Sequence, residues 1–187
     1  KFHRDLLANK ITELGDETIV KMFGVMNSIL LDYGYQNYEI SNWSKPKMES
    51  VHNMRYWKKY DYLGFGPGAS SFYENKRKTN TKSLKKYINN LKSSILEFEE
   101  DYTLNKKDNL IEGIMLDLRL SSGINHIEFN KKFDFDFNDK FFHLIKKLRN
   151  FKLIRNDNEK TILTQKGKLL SDSIFVLFQE EINTISF

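Results

Sequence analysis

The strongest constraint on the fold is a change of pattern at the acidic run Glu97–Asp101. Before it, amphipathic helical stretches alternate with short strand-like runs and glycine turns. Beyond it, three helical stretches lead into two short strands and one more helix. The first order is that of α/β units, and the second is mainly helical, so the run reads as a boundary. The expected division is residues 1–98 and 103–187. At 187 residues the chain is long enough for one domain or two small ones.

In the first region Asp16 is expected to cap a helix reaching about Tyr33, because Ile19, Met22, Met26, Ile29 and Tyr33 recur at helical spacing. Gly34 can close that helix in the left-handed conformation. Residues 35–41 read as a strand and residues 43–48, which hold Pro46, as a loop. Ser50 is placed as the cap of a short helix, and residues 60–65 as a second strand. Lys76, Arg77 and Lys78 read as a basic loop, and Ser83 caps a helix whose Leu84, Ile88, Leu91 and Ile95 face inward. In the second region helices are expected over 104–120, 125–133 and 138–150, strands over 152–156 and 160–164, and a last helix, capped by Thr164, over 165–180. Three helices followed by a hairpin is the order of a winged helix.

The composition excludes several classes. With 40% apolar and 14% aromatic residues the chain can bury a core. No stretch approaches the roughly 20 apolar residues that cross a bilayer. Lys1-Phe2-His3-Arg4 is not followed by the apolar run of a secretory signal, and the abrupt start suggests a fragment. There is no cysteine, which excludes disulfides, thiolate chemistry and a cysteine-ligated iron–sulfur cluster in these residues and fits a cytoplasmic setting. The net charge of +5 is unevenly spread. From Lys45 to Lys92 there are 12 Lys/Arg against Glu49, Asp61 and Glu74, whereas from Asp101 on 14 basic residues meet 13 acidic ones. An anionic partner, if there is one, is to be sought in the middle of the chain, although charge alone favours the plainer reading of a solvated lysine-rich surface.

Two segments carry chemistry. On a helix, His52-Asn53-x-x-Tyr56-Trp57 places His52 and Tyr56 one turn apart, with Asn53 and Trp57 beside them. Imidazole, amide, phenol and indole together suit a flat aromatic ligand with polar edges. On spacing alone the better reading is that Tyr56 and Trp57 are core aromatics and His52 a surface residue. Gly64-Phe65-Gly66-Pro67-Gly68-Ala69-Ser70-Ser71 lets backbone approach a ligand closely, or makes a tight structural turn. It is neither a dinucleotide fingerprint nor a P-loop. In the second region Lys140, His143, Lys147 and Asn150 share a helix face opposite Phe141, Leu144, Ile145 and Leu148. A nucleic-acid reader should be clearly basic, and this region is near neutral, so a solvated face is the better reading.

Three runs in order, Tyr38-Glu39-Ile40-Ser41-Asn42-Trp43-Ser44-Lys45-Pro46, then Ser50-x-His52-Asn53-x-x-Tyr56-Trp57, then Tyr62-Leu63-Gly64-Phe65-Gly66-Pro67-Gly68-Ala69, closely resemble the oxygen-independent coproporphyrinogen oxidase-like radical-SAM family. Thr81-Lys82-Ser83-Leu84 and Leu163-Thr164-x-Lys166-Gly167-x-x-Leu170 resemble the same family further on. The resemblance implies that residues 1–98 are the last βα units of a radical-SAM barrel, and residues 103–187 a winged-helix-like, mainly helical C-terminal domain. The motif at His52 marks the haem-chaperone (HemW) branch rather than the oxidase branch. By resemblance His52 is the candidate ligand of haem iron, with Asn53, Tyr56 and Trp57 completing a haem site, and haem-acceptor proteins are the implied partners. Gly64, Gly66, Gly68, Ala69 and Ser70 would lie near an S-adenosylmethionine pocket. The 4Fe-4S cluster of the family needs cysteines this chain lacks, so the chain should not be catalytic alone. Under this reading Lys58, Lys59 and Arg77 are expected to hold the two haem propionates. Two departures stand out: Ser70 where the family has histidine, and Lys47 in place of the glycine of a Lys-Pro-Gly turn, which must avoid a positive φ or accept strain.

Overall fold

The computed structural model describes residues 2–8 and 10–185, which fall into two units, Lys1–Glu49 and Ser50–Phe187. In the first, α1 (Phe2–Leu7) precedes α2 (Asp16–Asp32). The N-cap of α2 is the extended Gly15, and Asp16 is the first helical residue rather than the expected cap. Its carboxylate there meets the positive end of the helix dipole. Gly34 turns the chain at φ 79° into β1 (Gln36–Glu39). The expected loop at 43–48 begins instead as β2 (Asn42–Ser44), which pairs antiparallel with β1. Side chains make this reversal. The fully buried Glu39 carboxylate accepts from the Ser41 N–H at 3.0 Å and from the Asn42 side chain, while the Asn37 amide donates to the Asn42 carbonyl at 3.0 Å. Trp43 donates its indole N–H to Asn27 Oδ1 at 3.1 Å and meets the Phe23 ring at 5.6 Å, tying the hairpin to α2. Lys47 takes φ 66°, so the substituted turn accepts the strain.

The second unit opens on α3 (Val51–Trp57), capped by Ser50, whose Oγ accepts from the Asn53 N–H. The expected strand at 60–65 is absent. Tyr62 makes one two-bond bridge to Phe72, and the strand lies on the far side of the glycine run as β3 (Ser70–Tyr73). The expected basic loop is β4 (Lys76–Asn80), joined to β3 by Glu74 and Asn75 at φ 47° and 62°. Two residues with positive φ form the tight turn that matches strand twist, here without the usual Asn-Gly signal. After α4 (Leu84–Lys92), the acidic run forms β5 (Phe98–Thr103), antiparallel to β4. Lys78 pairs across the ladder with Asp101 at 3.1 Å, so each charged run makes the other a viable strand. Ser83 caps α4 as expected. The apolar face of α4 is not inward among the described residues, for Leu84 and Leu91 are exposed.

From here on the chain closes a core. It runs through α5 (Lys106–Arg119), β6 (Ile124–Asn125), α6 (His126–Phe133), α7 (Phe137–Lys140), α8 (Phe142–Asn150), β7 (Ile154–Asn156), β8 (Lys160–Leu163), α9 (Gln165–Leu169) and α10 (Ser171–Thr184). Two expected single helices are each broken, at Phe141 and at Leu170, where φ falls to −106° and −113°. The breaks let both segments wrap a cluster of fully buried Phe129, Phe137, Phe141 and Phe178. The sheet order is β6-β8-β7. Gly167 lets α9 approach the sheet, since a Cβ there would lie 1.9 Å from the Leu153 carbonyl oxygen. Every strand pairing among the described residues is antiparallel, so the parallel ladder of the expected barrel units is not among them.

Candidate functional site

The Ser50 cap sets the phase of α3, and one helical turn then brings His52 and Tyr56 together edge to face, with ring centroids 4.9 Å apart. Tyr56 meets Tyr62 at 4.6 Å, and Tyr62 meets the buried Phe72 at 6.4 Å. A file of aromatic rings thus leads inward from the exposed His52. On the neighbouring face the Arg119 guanidinium lies over the Trp57 ring at 4.3 Å. The Trp57 indole N–H is buried without an acceptor among the described residues. Asn53 is half-buried, and its backbone N–H serves the cap.

Behind Tyr56 is a cavity of about 310 Å3, small for a ligand site. Tyr56, Trp57, Tyr62, Phe72 and Leu116 supply its apolar wall. Its charged wall is a triad. Glu112 lies between Lys59 Nζ, at 2.7 Å, and the Arg77 guanidinium. Lys59 also donates to Asn109 Oδ1 at 2.7 Å, and both cations sit over the Phe72 ring. Burial pulls the Lys59 ammonium below its ordinary pKa, against the opposing pull of Glu112. Burial likewise pushes the Tyr62 phenol up, with Arg77 acting the other way. Lys59 and Arg77, two of the residues expected to hold propionates, are thus joined to one carboxylate. Of the four residues expected at a haem site, Tyr56 and Trp57 line this cavity and His52 and Asn53 stand outside it.

The glycine run is a tied-down turn. The Gly64 N–H donates to Ser71 Oγ, that of Gly66 to the Tyr87 hydroxyl, that of Gly68 to the Thr81 carbonyl, and that of Ala69 to the Gly66 carbonyl. Asn80 donates to the Gly66 carbonyl at 2.9 Å. Gly64 is required by close approach, since a Cβ would lie 2.2 Å from the Ser70 carbonyl oxygen. Gly66, at φ 107°, has nothing within 4 Å of where a Cβ would stand, so the backbone is open on that side. Ser70 hydrogen-bonds Thr79, which in turn donates to Glu100, so its hydroxyl is engaged within the sheet.

In the C-terminal helices, a second cavity of about 710 Å3 opens between α8 and the β7–β8 turn, where Lys146 and Arg149 face Asp157 across Asn138, Phe142 and Asn156. The backbone N–H groups of Lys160 and Glu159 hold the Asp157 carboxyl below its ordinary pKa, so the wall carries both signs. Among the described residues no three His, Asp or Glu side chains gather as a metal site, and no helix is long and apolar enough to cross a membrane.

Glu112, Asn109 and Arg119 were not legible as site residues. They come from one face of α5, some fifty residues from α3, and an acid on an amphipathic helix carries no distinguishing local signal.

Residues 104–170 match the HemN C-terminal domain family. The heme chaperone HemW of Bacillus subtilis (strain 168) is 30% identical over 166 residues, which is 89% of this chain and 44% of that protein. The heme chaperone HemW of Lactococcus lactis is 34% identical over 157 residues, 84% of this chain and 41% of that protein. In fold, the radical SAM enzyme coproporphyrinogen III oxidase (HemN) of Escherichia coli superimposes with a TM-score of 0.73 at 20% identity, over 91% of this chain and 44% of that one. The chain spans less than half the length of the curated relatives it matches.

Proposed function

Because the chain belongs to the family of the HemW haem chaperones and HemN-type radical-SAM proteins, we propose that it is the C-terminal part of a haem chaperone, which binds haem and passes it to acceptor proteins. The observation that carries this reading is the arrangement of His52, Tyr56 and Trp57 on one short capped helix. The imidazole is exposed, and the two aromatic rings lead to a partly charged cavity. A neutral histidine nitrogen is a common haem ligand. In this reading His52 coordinates the iron of the cargo, Asn53 offers its amide to the macrocycle edge, and Tyr56 and Trp57 meet the flat face. Residues 1–98 take the place of the last barrel units and residues 103–187 that of a winged-helix-like domain, in a cytoplasmic protein.

The cluster of a radical-SAM centre does not fit these residues, since they include no cysteine. S-Adenosylmethionine, in a longer parent, would meet this chain at the bare backbone of Gly66, flanked by Gly64, Gly68, Ala69 and Ser70; the amides there are already used, so contact would be by close packing rather than by N–H donation.

Titration of the protein with haemin tests the haem reading. A Soret shift that His52→Ala weakens by about tenfold or more supports the ligand assignment. No Soret change, or one unaltered in the variant, rejects it. The fold shared with coproporphyrinogen III oxidase favours a second reading, propionate decarboxylation by a longer parent. Assay of that parent for coproporphyrinogen decarboxylation separates the two. The mixed charge beside α8 does not favour a nucleic-acid partner.

A further inference from the structure

The wall of the cavity behind Tyr56 carries two cations, Lys59 and Arg77, and one carboxylate, Glu112. The count leaves one positive charge over. On an open surface water would solvate it, but the Lys59 side chain is only 10% exposed and rests on the Phe72 ring. A half-buried surplus charge is costly, and a second carboxylate relieves it by completing two ion pairs. Around the triad the cavity is walled mainly by the rings of Tyr56, Trp57, Tyr62 and Phe72 and by Leu116, with the Tyr62 phenol beside Arg77. A hydrated inorganic anion would leave that surface unmatched, whereas a carboxylate on a short hydrocarbon stem matches both parts of the wall. The cavity, at about 310 Å3, is at the small end for an entire cofactor and suits a side arm.

We propose that this cavity is a binding site for one carboxylate on a short apolar stem, held by Arg77 and Lys59 in competition with Glu112. Where the haem reading holds, the site deepens it: the arm is one propionate, and the macrocycle stays outside, on the His52 side of Tyr56. Glu112 then acts as a positioning residue. It holds both cations at the mouth of α3 while the site is empty, and it yields part of their charge to the ligand. Asn109 keeps Lys59 in place during that exchange. Lys58, one residue away and exposed, lies outside the cavity wall.

The test uses 3-phenylpropionate and its uncharged amide as probes, at pH 6.5, with binding followed by the Trp57 indole N–H signal in 15N-labelled protein. Trp43→Phe identifies that signal, because the chain has only two tryptophans. The acid is expected to bind about tenfold or more tightly than the amide, as for a hydrogen bond to a charged group. Arg77→Gln removes that preference. Glu112→Gln, by removing the competing carboxylate, tightens the acid several-fold, a direction that a merely structural role would not produce. Equal binding of acid and amide, no shift with either, or retention of the preference in Arg77→Gln overturns the site. If Glu112→Gln does not fold, the Arg77→Gln comparison decides alone. The two readings fail separately. Discrimination by 3-phenylpropionate without a haemin Soret shift leaves the carboxylate site standing and removes haem. A haemin shift of equal affinity for haemin and its dimethyl ester leaves haem and removes the propionate from the cavity.

Discussion

The residues from Leu104 onward and those before it use similar amphipathic helices to opposite effect. From Leu104 on, nearly every apolar stripe meets another, and Phe137 of α7, Phe141 at the α7–α8 break and Phe178 of α10 close on one another at 5.0 to 5.8 Å. Before it, Phe72 is the only buried apolar residue among those described. α2 has no buried residue at all, although Met22, Val25 and Ile29 recur along it as regularly as the core positions of α5. Periodicity therefore states that a helix has an apolar face. It does not state what covers that face. In the closed region the segments broken at Phe141 and Leu170 supply that cover, with Phe137, Phe141 and Phe178 in one cluster.

The sharpest way to break this contrast is to truncate one residue on each side of it. Phe137 is fully buried against Phe129, Phe141 and Phe178 and stacks on His126. Phe137→Ala is expected to cost about 3–5 kcal/mol in urea unfolding. Ile29, 51% exposed on α2, should lose less than ~1 kcal/mol on the same change. An Ile29→Ala loss as large as that of Phe137→Ala would mean that the α2 face is covered in solution and that the contrast is false.

A smaller effect lies within the closed region. Asp117, on α5, has its carboxyl pushed up to about 6, first by burial and then by Glu128, with Lys132 opposing. The unfolded group titrates near 4. Between those values the folded chain keeps a proton that the unfolded chain has released, so stability falls as pH rises from about 4 to about 6 and stays lower above. The span of roughly two pH units corresponds to about 2–3 kcal/mol. Asp117→Asn is therefore expected to stabilise the protein by up to about 2 kcal/mol at pH 8 and by almost nothing at pH 4. Melting curves at the two pH values check it, and an equal gain at both would assign the effect to packing instead.

What was legible divides along physical lines. Caps were legible at Ser50, Ser83 and Thr164, because one hydroxyl serves an N–H three residues on and nothing distant intervenes. The α3 motif was legible too, as neighbours on one helix turn. Strands β3, β4 and β5 were not. The β4–β5 pairing sets charges of opposite sign some twenty residues apart against each other, each of those runs alone resembles a solvated loop, and the turn that joins β3 to β4 carries no glycine. The β1–β2 reversal escaped for a related reason, since Glu39 and two asparagine side chains replace the glycine that marks most tight turns. The cavity escaped altogether, because its decisive charge, Glu112, is brought to α3 only by the packing of α5.

The smallest expected effect probes the open side of the contrast without touching any apolar face. Lys47 sits at φ 66° beside Pro46, in a loop where the Met48 N–H donates to the Lys45 carbonyl at 3.0 Å and the Lys47 N–H to Glu49 Oε1 at 3.3 Å. A non-glycine residue in this conformation costs about 1–2 kcal/mol. Glycine removes that cost but adds freedom to the unfolded chain worth roughly 0.4–1 kcal/mol. Lys47→Gly should thus leave a net gain of about half a kcal/mol, seen as a small rise in the unfolding midpoint of the first unit. Lys47→Ala separates backbone from charge, since it keeps the strain and removes only the ammonium. If Lys47→Ala matches Lys47→Gly, the gain comes from charge, and the turn carries no strain to relieve. If only glycine helps, the turn stores backbone strain of the kind that Asp134 and Lys152, at φ 49° and 58°, place in the closed region too, and the contrast between the two regions lies in their side chains.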